Sequence, residues 1–141
     1  MPRIIAIDYG KKRSGLAVTD PLKIIATGLA TVETEKLVRY LKAYFEKEEV
    51  EEIIIGYPKN LDGSDTDITK KVEKLFSQLQ KLFPGKKTIL VDERYTSKMA
   101  FQSMLDSGMK KKDRQNKATI DQISATILLQ GYLDRTEHKS A

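Results

Sequence analysis

Three positions in this chain hold a carboxylate where a carboxylate is costly. Asp8 ends the unbroken apolar run Ile4-Ile5-Ala6-Ile7, and Asp92-Glu93 ends a second run, Ile89-Leu90-Val91. Such runs read as central strands buried on both faces. Successive strand residues point to opposite faces, so only one of Asp92 and Glu93 can share a site with Asp8. The residues themselves do not choose between them. The third acid is Asp121, in a stretch where Ile120, Ile123, Ile127, Leu128 and Tyr132 recur at helical spacing. With Ile120 at zero, the apolar arc that these residues form with Ala125 and Gly131 runs from about −60° to +140°, and Asp121 falls inside it at about +100°.

Acids gathered from separate elements repel one another and raise each other's pKa values. A divalent cation resolves that conflict, and an all-oxygen ligand set suits Mg²⁺ or Mn²⁺. Such ions activate a water and stabilise a leaving oxygen in phosphodiester hydrolysis. This chemistry needs neither thiol nor imidazole. The chain has no cysteine, and its one histidine, His138, lies in a polar tail, so disulfides, zinc-thiolate sites and cysteine or histidine catalysis are not expected. Plainer readings stand beside the metal site. Asp8 could pair with Arg13 or Lys12, and Asp121 could accept a hydrogen bond from a buried tyrosine or a backbone amide.

The cations point to an anionic partner. The net charge is +5 with a pI near 9.3, a mild basic excess that fits nucleic acid. Lys11, Lys12 and Arg13 directly follow the first acid and are candidates for phosphate contact. Lys110, Lys111, Lys112 and Arg114 belong to a basic polar stretch through Lys117 that could clamp a strand. Tyr57 and Asn60 sit on a loop at a strand end, and Tyr95 could stack on a base.

Apolar runs and helical spacings supply the elements that must position these groups. Residues 3–9 and 14–19 read as strands joined by a tight turn, hence an antiparallel hairpin. A third strand is expected over 24–32, with Gly28 as a bulge or weak point. Thr34 and Glu35 open a helix, by a capping hydroxyl and a first-turn acid, that runs to about Glu48. Residues 53–56 and 88–91 read as strands. A helix capped by Asp65 or Thr66 ends at Pro84-Gly85, a short helix begins at Thr96 or Ser97 and ends at Gly108, and a last helix covers 118–134. The order β-β-β-α-β-α-β-α-α predicts an α/β fold: a mixed five-stranded sheet with helices on both faces, in a single domain over 1–141. No apolar window approaches the length of a membrane span, and nothing resembles a secretory leader.

With these residues in place, the sequence resembles the YqgF/RuvX family of Holliday-junction-resolvase-like nucleases over nearly its whole length. The D-x-G-x-x-R-x-G-x-A signature is present as Asp8, Gly10, Arg13, Gly15 and Ala17. The G-x-P-x-N-x-x-G segment is Gly56, Pro58, Asn60 and Gly63, and D-E-R-x-[ST] is Asp92-Glu93-Arg94-Tyr95-Thr96. The terminal pattern runs from Ile120-Asp121 to Gln130. The resemblance implies an RNase H-like fold and a bacterial cytoplasmic nuclease maturing the 5′ end of pre-16S rRNA, or acting on branched DNA. It also implies Asp8, Glu93 and Asp121 as the catalytic and metal-binding acids, with Mg²⁺ or Mn²⁺. The expected nucleic-acid contacts are then Lys11, Lys12, Arg13, Asn60, Arg94, Lys110, Lys111, Lys112 and Arg114, in a monomer or weak dimer without membrane attachment. Two other readings compete. One is an RNA-binding ribosome-assembly module without catalysis. The other is a lobe of the actin-like ATPases and sugar kinases, whose phosphate loop also starts D-x-G, although those proteins need two such lobes.

Overall fold

The structure is a computed structural model, and it describes residues 2–20, 22, 25–57, 67–92 and 117–140. The elements are β1 (Arg3–Asp8), β2 (Arg13–Thr19), β3 (Ala26–Glu33), α1 (Leu37–Lys47), β4 (Val50–Tyr57), α2 (Asp67–Leu82), β5 (Lys87–Asp92) and α3 (Lys117–Ser140). A single 3-10 turn, Thr34–Lys36, leads into α1. The strands form one sheet in the order β3-β2-β1-β4-β5. β1 pairs antiparallel with β2, and β2 with β3; β1–β4 and β4–β5 are parallel. The meander and the two crossover strands therefore form the mixed five-stranded sheet that the element order predicts.

Strand alternation divides the core in two. Ile5, Ile7, Leu16, Ile53 and Ile55 face α1 and α2, where Leu37, Leu41, Val72, Leu75 and Leu79 meet them. Ile4, Ala6, Ala17, Ile54 and Val91 face α3, where Ala125, Leu128, Leu129 and Leu133 meet them. Each fully buried aliphatic side chain contributes roughly 1.5–3 kcal/mol relative to exposure. Both faces of β1 and β4 are covered, which is why those two strands read as unbroken apolar runs.

Three expectations change in detail. β3 begins at Ala26 rather than residue 24, and its bulge falls beside Gly28: Leu16 pairs with Ala30 while Ala17 pairs with Gly28, leaving Leu29 without a counterpart. A Cβ at Gly28 would come within 3.1 Å of the Gln122 side chain, so this bare position lets α3 lie close to the sheet. Thr34 does not cap α1. The helix starts at Leu37 with no side-chain cap bond, and the Thr34 hydroxyl is used elsewhere. Finally, α3 runs to Ser140, because no Gly or Pro after Gly131 stops it. The loop over 58–66, the short helix expected from Thr96 or Ser97 to Gly108 and the basic stretch 110–116 lie outside the described residues.

Candidate functional site at the carboxyl end of the sheet

The site begins with the face on which Asp8 emerges. Ile4 and Ala6 pack towards α3 and Ile5 and Ile7 away from it, so alternation places Asp8, half-buried at the end of β1, on the α3 side. Gly15 of β2 lies directly opposite Asp8. On the other side Ile7 pairs with Ile55, so the next position of β4 is the buried Gly56. The acid is thus flanked across both neighbouring strands by residues without side chains. Backbone can be approached closely at both positions.

The turn after Asp8 is braced by a closed ring of hydrogen bonds. The Thr34 hydroxyl donates to the Gly10 carbonyl at 2.6 Å. Its single proton being committed, the 2.9 Å contact between the two hydroxyls must have Ser14 as donor and Thr34 as acceptor. Ser14 Oγ in turn accepts the Gly10 N–H at 3.4 Å. Both backbone groups of Gly10 are therefore satisfied by hydroxyls, and Thr34 N–H donates to the Lys12 carbonyl at 2.9 Å. A Cβ at Gly10 would collide with the Arg13 carbonyl oxygen, so only glycine closes this turn. The result holds Lys11, Lys12 and Arg13 exposed beside Asp8. Neither Lys11 nor Lys12 forms an ion pair among the described residues. These three residues bound a groove of about 480 Å³ together with Glu33 and Glu35. Glu33 is already paired with Lys36 at 3.2 Å.

Two further elements approach this end of the sheet. β5 runs parallel to β4 with Gly56 opposite Val91 and Tyr57 opposite Asp92, and it turns Ile89 and Val91 towards α3 and Leu90 away. α3 lies over β1, β2 and β3. It is pinned by Gln130, whose Oε1 accepts the Ala26 N–H at 3.1 Å, and by Tyr132, whose hydroxyl donates to Glu52 at 2.8 Å. Its fully buried positions are Ser124, Ala125, Leu128, Leu129 and Leu133, whereas Ile123 and Ile127 are half-buried. The apolar arc expected from the sequence is thus rotated towards Leu129 and Leu133.

Of the expected site residues, Asp8, Lys11, Lys12 and Arg13 are brought together at the β1–β2 turn. Glu93, Asn60, Arg94, Lys110, Lys111, Lys112 and Arg114, with Tyr95, lie outside the described residues, as do the side chains of Tyr57, Asp92 and Asp121, although the position of Asp121 is within α3. Among the described residues no three His, Cys, Asp or Glu side chains cluster as a metal site, and no helix is long and apolar enough to cross a membrane. Ser14 and Thr34 are positioning residues that spacing did not mark, because the two hydroxyls meet across twenty residues of sequence.

Comparison with known proteins identifies the family and the fold. The RuvX family model, described as Holliday junction resolvase, matches residues 2–135. A Flavobacterium psychrophilum protein named "Putative pre-16S rRNA nuclease" is 54% identical over 135 residues, covering 96% of this chain and 98% of the relative. A Flavobacterium johnsoniae protein of the same name is 55% identical over 133 residues, covering 94% and 96%. Among solved structures, fowlpox virus resolvase with its Holliday junction DNA superposes with a TM-score of 0.57 at 12% identity, covering 95% of this chain and 98% of that one. T. thermophilus RuvC with a Holliday junction substrate gives 0.56 at 16% identity, covering 96% of both. These two likenesses concern the fold, which is RNase H-like. A family match along nearly the entire chain and relatives at more than half identity establish that this chain belongs to the RuvX family.

Proposed function

We propose that the chain is a metal-dependent phosphodiester hydrolase, a single RNase H-like nuclease domain over residues 1–141, whose substrate is the 5′ region of pre-16S rRNA in the bacterial cytoplasm. The observation that carries this reading is the setting of Asp8. It is a half-buried carboxylate at the carboxyl end of a central strand, on the α3 side, with Gly15 opposite it and an exposed basic turn beside it. In sheets of this kind ligands bind outside the carboxyl ends of the parallel strands.

Glu93 and Asp121 are proposed as the other two acids. β5 turns Ile89 and Val91 towards α3, and continuing that alternation favours Glu93 over Asp92 as the acid sharing a face with Asp8. Position 121 precedes the buried Ala125 and Leu128 by one and two helical turns, which favours an inward-facing acid. Asp8 fits a divalent cation in donor chemistry, being a hard oxygen ligand flanked by side-chain-free positions. When bound, Mg²⁺ or Mn²⁺ would activate the attacking water and neutralise charge on the phosphoryl oxygens. The chain's own contribution is to hold Asp8 at the end of β1 and position 121 within α3. Lys11, Lys12 and Arg13 meet the substrate's phosphates, with Asn60, Arg94 and Lys110, Lys111, Lys112 and Arg114 as further contacts.

The test is incubation of the purified chain with a pre-16S rRNA 5′ leader and with a four-way DNA junction, each with Mn²⁺, Mg²⁺ or EDTA. Leader cleavage that needs the metal supports the reading. Junction cleavage alone would make the chain a resolvase, and RNA binding without cleavage in any metal would make it an assembly module.

A further inference from the structure

A second groove lies on the opposite side of the sheet's carboxyl end, and the substrate contacts named above leave it unused. It measures about 470 Å³ and is formed where the Thr34 turn and the start of α1 meet α2. Its floor is Leu37 and Leu75, both in the core, and its walls include Tyr9, Lys71, Lys74 and Gln78. Lys71 and Lys74 are exposed and form no ion pair among the described residues. They lie one turn apart on α2 and so present two cations on one side of the groove. Tyr9 packs against the α1/α2 core, is half-buried and lines the groove.

The groove adjoins the basic turn beside Asp8. Tyr9 is the residue after Asp8, so the chain passes here from the α3 side of the sheet to the α1/α2 side. Glu35 borders both this groove and the one bounded by Lys11, Lys12 and Arg13. Cations against an apolar floor, with an aromatic ring at the entrance, are the ingredients of single-strand binding: the charges track the backbone and the ring stacks a base.

Building on the nuclease reading above, we propose that the groove between Tyr9 and α2 holds a single-stranded polynucleotide arm flanking the reactive phosphate. The strand crosses the end of the sheet at Asp8, stacks on Tyr9 and runs along Lys71 and Lys74. The preferred substrate therefore carries an unpaired flank of several nucleotides on one side of the scissile bond.

The experiment is fluorescence anisotropy of labelled 12-nucleotide strands, one RNA and one DNA of the same sequence, in EDTA, so that binding is read without cleavage. Three variants of the full chain are compared with wild type: Lys71→Ala/Lys74→Ala, Tyr9→Leu, and the control Lys42→Ala/Lys81→Ala. The control removes the same charge at exposed helix positions away from the groove. At about 0.1 M salt the groove double variant is expected to bind at least about tenfold more weakly, with the salt slope reduced by about 1.4, or about 0.7 per lost phosphate contact. Tyr9→Leu is expected to weaken binding severalfold, and the control to stay within about twofold of wild type. Tighter binding of RNA would show that the 2′-hydroxyl is read, and equal binding that backbone and bases suffice; both outcomes are consistent with the groove. Equal losses in the two double variants would overturn the groove while leaving the nuclease reading intact. Wild-type binding to neither strand would overturn the groove, while metal-dependent cleavage of the leader decides the nuclease reading separately.

Discussion

Asp8 is held by its strand and flanked by glycines, so its carboxylate is more exposed to its charged neighbours than to packing. Replacing it with the isosteric Asn removes charge while keeping shape. In the absence of metal, Asp8→Asn is expected to be at least as stable as wild type, because repulsion among the proposed acids is relieved. A urea midpoint clearly below that of wild type would instead mean that Asp8 is a structural ion-pair partner. The neighbouring turn makes the opposite prediction. Ser14→Ala deprives Gly10 N–H of its acceptor and Thr34 Oγ1 of its donor, and should cost about 1–2 kcal/mol in urea unfolding. No loss would show that water replaces the hydroxyl. Asp8 was legible in the sequence because a charge ending an apolar run is conspicuous. The Ser14–Thr34 ring was not, because neither hydroxyl shows its partner until β2 and β3 pair.

At the scale of elements, α3 is where the sequence was least decisive. Between Ile120 and Leu133 apolar residues surround much of the helix, so periodicity alone could not fix which stripe is buried. Docking across β1, β2 and β3 chooses Ala125, Leu128, Leu129 and Leu133, and Gly28 permits the close approach at Gln122. Gly131 of the same helix has open space around its missing Cβ. Gly131→Ala should therefore stabilise the protein by about 0.5–1 kcal/mol; a lower melting temperature would contradict helical geometry at that position. α1 adds a pH response. Burial raises the phenol pKa values of both Tyr40 and Tyr44 above 10.0, and for Tyr44 nearby Arg3 partly offsets it. The folded state then holds these protons at pH values where the unfolded chain releases them. Their contribution to stability is complete below about pH 10 and falls as pH rises through the raised values. Tyr40→Phe/Tyr44→Phe should flatten the alkaline limb of a stability-against-pH curve, and an unchanged limb would assign it to other groups.

Over the whole molecule, the order of elements specified the sheet, because three strands in a meander followed by helix-separated strands admit few arrangements. That β5 turns Ile89 and Val91 towards α3 is a fact about docking rather than sequence, and the apolar run alone did not show it. The groove beside Tyr9 arises only when α1 and α2 pack side by side. The basic turn after Asp8 and the groove beside Tyr9 both lie at the carboxyl end of β1, so the most direct test is there. Single-turnover cleavage of a pre-16S rRNA 5′ leader in Mn²⁺ should be compared for wild type and Asp8→Asn, with equal folding checked by circular dichroism. Wild type is expected to cleave, and Asp8→Asn to be slower by at least about a hundredfold. An Asp8→Asn protein that cleaves at the wild-type rate would contradict the placement of the chemistry at Asp8.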